Sequence, residues 1–135
     1  MSPAQPKPTP AAETVLVVED EVLIRVVIAE YLRECGFKVV EAVNADEALL
    51  VLQHAELTID VVFSDIEMPG SMDGFALSKW VRANRPGTEV ILAGSPGRAA
   101  HAAGDLCEEG PMLAKPYDHQ VVLDRIRRLL AGRKR

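Results

Sequence analysis

Cysteine is scarce: Cys35 and Cys107 are the two in a chain of 135 residues. A disulfide scaffold needs more of them in a shorter chain, and no C-x-x-C spacing offers a metal site. Both are read as reduced thiols. Aromatic residues make up 4%, too few to sandwich a flavin-type ring. No apolar run approaches the ~18 residues of a membrane-spanning helix. The opening MSPAQPKPTPAAE carries four prolines and no apolar stretch, unlike an ordinary signal peptide. No G-x-x-x-x-G-K-[ST] loop is present, and no G-x-G-x-x-G follows the first apolar run, so no glycine-rich loop cradles a nucleotide. Basic residues are outnumbered 15 to 20, leaving a net charge of −5. Duplex DNA binding calls for a basic face, and the single basic cluster, Arg133-Lys134-Arg135, reads as a solvated tail. The expectation is a cytoplasmic protein with no membrane contact and no direct DNA binding.

Hydrophobic residues make up 48% and charged residues 26%, the balance of a globular domain with one core. Residues 1–13 read as a flexible Pro-rich tail, 14–131 as one domain and 132–135 as a basic tail. Thr14 to Val18 is a continuous apolar, β-branched run, which fits a strand buried on both faces of a parallel sheet. Similar runs follow at Lys38–Ala42, Asp60–Ser64, Glu89–Ala93 and Met112–Ala114. Between them, amphipathic periodicity predicts helices near Val22–Glu34, Ala45–His54, Phe75–Asn84 and His119–Leu130, with a weaker Ala-rich one over Arg98–Leu106. In the first of these, Leu23, Val27, Ala29 and Leu32 are taken as the apolar side, with Arg25, Arg33 and Glu34 on the charged side. Gly36 stands where a helix end favours positive φ, and Asn44 or Asp46 can cap the second helix. His54, His101 and His119 are expected at the surface, and Trp80 in packing. Five strands alternating with five helices predict an α/β, doubly wound, five-stranded parallel sheet with right-handed crossovers.

In such a sheet, ligands bind beyond the carboxyl ends of the strands, at the switch in strand order. Glu19 and Asp20 end the first strand, Asp65 the third and Lys115 the fifth. Two carboxylates ~4 Å apart repel by about 4 kcal/mol at an effective dielectric of 20, so the cluster calls for a cation. Hard oxygen ligands at an open rim suit Mg²⁺, which keeps waters and takes a phosphate as well. Lys115 adds a compact positive charge on a flexible stem. A carboxylate can act as nucleophile in phosphoryl transfer, giving an aspartyl-phosphate.

VLVVEDE at 15–21, VVFSDIEMPGSMDG at 61–74 and LAKPY at 113–117 resemble the three signature blocks of response-regulator receiver domains. The resemblance runs from about Thr14 to Leu130 and implies a flavodoxin-like fold. It implies that Asp65 takes a phosphoryl group from a sensor histidine kinase or histidine phosphotransfer protein. Glu19, Asp20, Asp65 and the backbone carbonyl of Glu67 would hold Mg²⁺. Lys115 would contact the phosphate, with a cis bond to Pro116. Output would pass to an unidentified downstream protein.

The sequence departs from that pattern at three places. Gly94 stands where the family places Thr or Ser; either the hydroxyl is missing, or a one-residue shift lets Ser95 contact the phosphate. Met112 stands where the family carries Tyr or Phe, and methionine has no ring to swing, so the switch through Gly94, Ser95 and Met112 is expected to differ. The loop after Asp65 is one residue longer than usual. Glu67, two residues beyond the acceptor, lies where the side chain tends to affect loss of the phosphate to water. Two other readings compete. A degenerate receiver would bind partners without phosphotransfer. A Mg²⁺-dependent aspartyl phosphatase would need D-x-D-x-T/V, whereas Asp65 is followed by Ile66-Glu67-Met68. The expected protein is a switch, not an enzyme.

Overall fold

In the computed structural model, residues 12–94, 112–114 and 117–132 are described. The strands are β1 (Thr14–Val18), β2 (Lys38–Ala42), β3 (Val61–Asp65), β4 (Glu89–Gly94) and β5 (Met112–Ala114). The helices are α1 (Val22–Glu34), α2 (Ala45–Leu52), α3 (Gly74–Asn84) and α4 (His119–Gly132). The expected Ala-rich helix over Arg98–Leu106 lies outside the described residues, as do Ser95, Cys107, Lys115 and the Lys115–Pro116 peptide. All neighbouring strands are parallel, in the order β2-β1-β3-β4-β5. β1 and β3 are therefore adjacent although β2 lies between them in sequence, and the strand order reverses at this point.

Alternation along each strand divides the core in two. Leu16, Val18, Val62 and Leu92 face one side and meet Ala48, Leu52, Leu77 and Val81 of α2 and α3. Val15, Val17, Val61, Phe63 and Ile91 face the other and meet Ile28 and Leu32 of α1 and Val122 and Ile126 of α4. This two-sided burial explains why the strands are continuous apolar runs. The strands also reach further than the sequence suggests at their carboxyl ends: Asp65 and Gly94 are the last residues of β3 and β4. Both are included because their backbones stay in register, Asp65 opposite Ala93 and Gly94 opposite Ala114.

Helix ends follow local chemistry. At the end of α1, Gly36 has φ +103°, the Phe37 N–H donates to Leu32 O at 3.1 Å and the Gly36 N–H to Arg33 O at 3.0 Å. This is the Schellman arrangement that positive φ permits. Asn44, not Asp46, caps α2: its Oδ1 accepts from the Glu47 N–H at 2.8 Å. Asp73 caps α3 in the same way through Ala76, at 2.8 Å. α2 stops at Leu52, short of His54. Cys35 is half-buried, near the Tyr31 side chain.

The apolar side of α1 is not the one the sequence suggests. Leu23 and Val27 were assigned to the buried side of α1, yet they are 80% and 55% exposed. The stretch Val22–Ile28 is apolar all round except at Arg25, so it offers the sheet more than one stripe. The sheet takes the stripe through Arg25, Ile28, Ala29 and Leu32, and Leu23 and Val27 fall on the opposite side.

Candidate functional site

Glu19, Asp20 and Asp65 meet at the carboxyl end of the sheet, between β1 and β3. One carboxylate oxygen from each lies within 4.8 Å of those of the other two. Glu19 is 2% exposed and Asp65 7%, whereas Asp20 is exposed. The order of the strands creates this corner: Asp65 ends β3, Glu19 directly follows β1, and the two strands pair as Val18 opposite Ser64. Backbone bonds hold both acids. The Glu19 N–H donates to Ala42 O at 3.0 Å, and the Ile66 N–H, just past Asp65, donates to Ala93 O at 2.9 Å. Glu19 Oε2 also accepts the Glu21 N–H at 3.1 Å, so a buried acid helps start α1. Glu21 itself precedes the helix and makes no side-chain cap bond.

Three negative oxygens so close, two of them largely out of water, repel one another strongly. Hard anionic donors with one open, solvent-facing member are the donor set that a hydrated Mg²⁺ accepts. The residues therefore fit such an ion by charge, donor type and spacing. Tyr117 adds to the picture. It packs edge-on against Phe63 with ring centroids 5.7 Å apart. Its phenol pKa is pushed well above the ordinary value, first by burial and then by the charges of Glu19 and Asp65.

The other sequence-predicted residues are placed as follows. Glu67 is exposed on the loop leaving Asp65. Gly94 is buried at the end of β4, and Met112 pairs in register with Leu92. β5 ends at Ala114; Lys115 and Ser95 lie outside the described residues. His119 is exposed as expected, and its ring meets Tyr31 at 4.2 Å.

Four contributors were not apparent in the sequence. Gly74 presses on the backbone of Asp65: a Cβ there would stand 2.2 Å from Asp65 O, and the Gly74 N–H donates to Ile66 O at 2.8 Å. A glycine beginning a helix, where most residues are tolerated, was the available signal. Asp46 tethers the long loop, accepting from Ser71 Oγ at 2.7 Å through Oδ1 and from the Ser71 N–H at 3.3 Å through Oδ2. Arg25, assigned to the charged face of α1, has a largely covered side chain that reaches the Glu19 carbonyl. Tyr117 was visible only as part of LAKPY. A shallow apolar groove of about 250 Å³ is lined by Leu23, Ile24, Val27, Ile28, Tyr117 and His119. Among the described residues no helix is long and apolar enough to cross a membrane.

The chain is similar to known proteins. The profile of the response regulator receiver domain matches residues 15–127. Transcriptional regulatory protein ResD of Bacillus subtilis (strain 168) is 28% identical over 116 residues, covering 86% of this chain and 47% of ResD. Response regulator protein FleR of Pseudomonas aeruginosa is 33% identical over 123 residues, covering 90% of this chain and 25% of FleR. The chain thus spans about half the length of ResD and a quarter of FleR. The crystal structure of the signal receiver domain of a signal transduction histidine kinase from Syntrophus aciditrophicus superposes with a TM-score of 0.78. That domain is 30% identical, and the match covers 92% of this chain and 94% of that one.

Proposed function

Because this chain belongs to the response regulator receiver domain family, we propose that it is a phospho-accepting switch with Asp65 as the acceptor. The observation that carries this reading is the convergence of Glu19, Asp20 and Asp65 oxygens within 4.8 Å at the strand-order reversal. An Asp65 carboxylate oxygen attacks the phosphorus of a phosphohistidine. The new O–P bond forms as the N–P bond breaks, and the departing imidazole keeps the bond's electron pair and takes a proton. Burial of Asp65 and the backbone bond from Ile66 N–H to Ala93 O restrict where its carboxylate stands for in-line attack. The side chains of Glu19, Asp20 and Asp65, with the Glu67 carbonyl, would hold Mg²⁺. When bound, that ion supplies positive charge against the carboxylates and the incoming phosphoryl oxygens. Lys115, next in the chain to the end of β5, would pair with a phosphoryl oxygen, and Ser95 would supply a hydroxyl in place of one at Gly94.

The partner proposed for the donor step is a sensor histidine kinase or a histidine phosphotransfer protein in the cytoplasm. Exposed Leu23 and Val27, which line one apolar groove with Tyr117, support a protein partner, since clustered exposed apolar surface marks a contact region. Output passes to a downstream protein rather than to DNA, through rearrangement around Gly94, Ser95 and Met112. One observation favours a second reading, a receiver that binds partners without phosphotransfer: Gly94 is buried at the end of β4 and offers no hydroxyl. Incubation with acetyl phosphate and Mg²⁺, followed by intact-mass measurement, separates the two. A gain of one phosphoryl group that disappears in Asp65→Asn and without Mg²⁺ supports the switch. No gain, or a gain retained in Asp65→Asn, refutes it.

A further inference from the structure

Arg25 stands in the exposed first half of α1, yet its side chain retains only 13% exposure. Its guanidinium is engaged along two edges. Nε donates to Glu41 Oε1 at 3.0 Å, and Nη1 donates to the backbone carbonyl of Glu19 at 3.1 Å. That carbonyl belongs to the peptide joining Glu19 to Asp20, so turning this peptide would redirect both carboxylates. Glu41 is itself fixed: it sits on β2 in register with Val17, and its Oε2 pairs with Arg33 Nη2 at 3.2 Å. A planar guanidinium with donors in a rigid fork can bridge a carboxylate and a carbonyl at set angles. Arg25 therefore ties the Glu19–Asp20 peptide to the neighbouring strand as well as to its own helix.

We propose that Arg25 is a positioning residue for the acid cluster, holding the Glu19–Asp20 peptide in the orientation that lets the carboxylates share one divalent cation. This rests on the reading of the cluster as a Mg²⁺ site. Simple electrostatics predicts the opposite behaviour. Removing Arg25 deletes a positive charge near the site and leaves Glu41 one cation short, and both changes would strengthen attraction for Mg²⁺. Losing the orientation of the ligands weakens it, since groups that orient metal ligands are typically worth 10–100-fold in affinity. The sign of the change thus separates positioning from charge.

The test is Mg²⁺ titration of the whole chain by calorimetry, with urea unfolding in parallel. Arg25→Met keeps the aliphatic stem and removes the fork; it should bind Mg²⁺ about tenfold more weakly than wild type. Arg33→Met loses the other Glu41 partner without touching Glu19 and should bind Mg²⁺ as wild type does. Affinity unchanged or increased in folded Arg25→Met overturns the proposal, as does an equal loss in Arg33→Met. If Arg25→Met does not fold, Arg25→Lys decides. It keeps the charge but cannot span both acceptors in one plane, so weaker binding supports positioning and unchanged binding overturns it. Wild type that binds no Mg²⁺ would instead refute the reading of the cluster itself.

Discussion

Gly74→Ala tests how Asp65 is held. Gly74 begins α3 directly against the end of β3, and an added Cβ would lie 2.2 Å from Asp65 O, 2.9 Å from Ile66 Cα and 3.0 Å from Asp65 C. All three are backbone atoms, so no rotamer change relieves the overlap. The nearest contact is short of ordinary van der Waals distance by about 1 Å, and α3 or the Asp65–Ile66 segment must move by that amount. Overpacking of this kind costs ~1–3 kcal/mol. The intrinsic gain from Gly to Ala, about 1 kcal/mol within a helix, is smaller here because the position is the helix's first. A net loss of ~1–2 kcal/mol is expected from urea unfolding. The same shift misplaces the Asp65 carboxylate, so phosphorylation from acetyl phosphate with Mg²⁺ should slow at conditions where the variant is still folded. Gly87→Ala is the control: nothing lies within 4 Å of its added Cβ, and its effect should fall within ~0.5 kcal/mol of wild type. Stability and phosphorylation rate both unchanged in Gly74→Ala would refute the close approach as the reason for glycine.

Asp46→Ala removes both bonds to Ser71 and leaves the Asn44 cap of α2 in place. It should cost about 1 kcal/mol and speed amide exchange at Ser71 while α2 exchange is little changed; equal loosening of α2 would show that the tether is not the point of action. The raised pKa of Tyr117 sets a sign for alkaline stability. Below its ordinary value of 10.0 the phenol is neutral in both states and contributes fully. As pH rises past 10.0 the unfolded chain ionises first, so the folded state loses stability. Thermal midpoints of wild type and Tyr117→Phe should therefore run parallel below pH 10 and converge or cross above it, the wild type falling faster. Parallel curves throughout would show that burial and the nearby acids do not act on this phenol.

The fold was legible because it is written in local periodicities. Unbroken β-branched runs demand burial on both faces, and their alternation with amphipathic helices admits few topologies. Gly36 and the acids at strand ends are likewise local signals, read correctly one by one, whereas the cap of α2 was left between Asn44 and Asp46 until the structure chose Asn44. The apolar side of α1 was misread because Val22–Ile28 contains more than one apolar stripe, and only docking against Phe63 and the rest of that sheet face chooses among them. Arg25 was misread for a related reason. A cation on a helix looks solvated until its partners, Glu41 on another strand and a carbonyl of the preceding turn, are known.

The amino-acid sequence by itself determined that three acids stand at the ends of strands, since strand ends are set by where apolar runs stop. Only the tertiary structure decided that Glu19, Asp20 and Asp65 share one corner, that Gly74 leaves no room beside Asp65, and that Arg25 reaches the peptide between two of the acids. The physical reason is that hydrophobic patterning acts over a few residues along the chain. Coulomb repulsion, steric exclusion and a guanidinium's reach act across space, between segments brought together only when β1 pairs with β3.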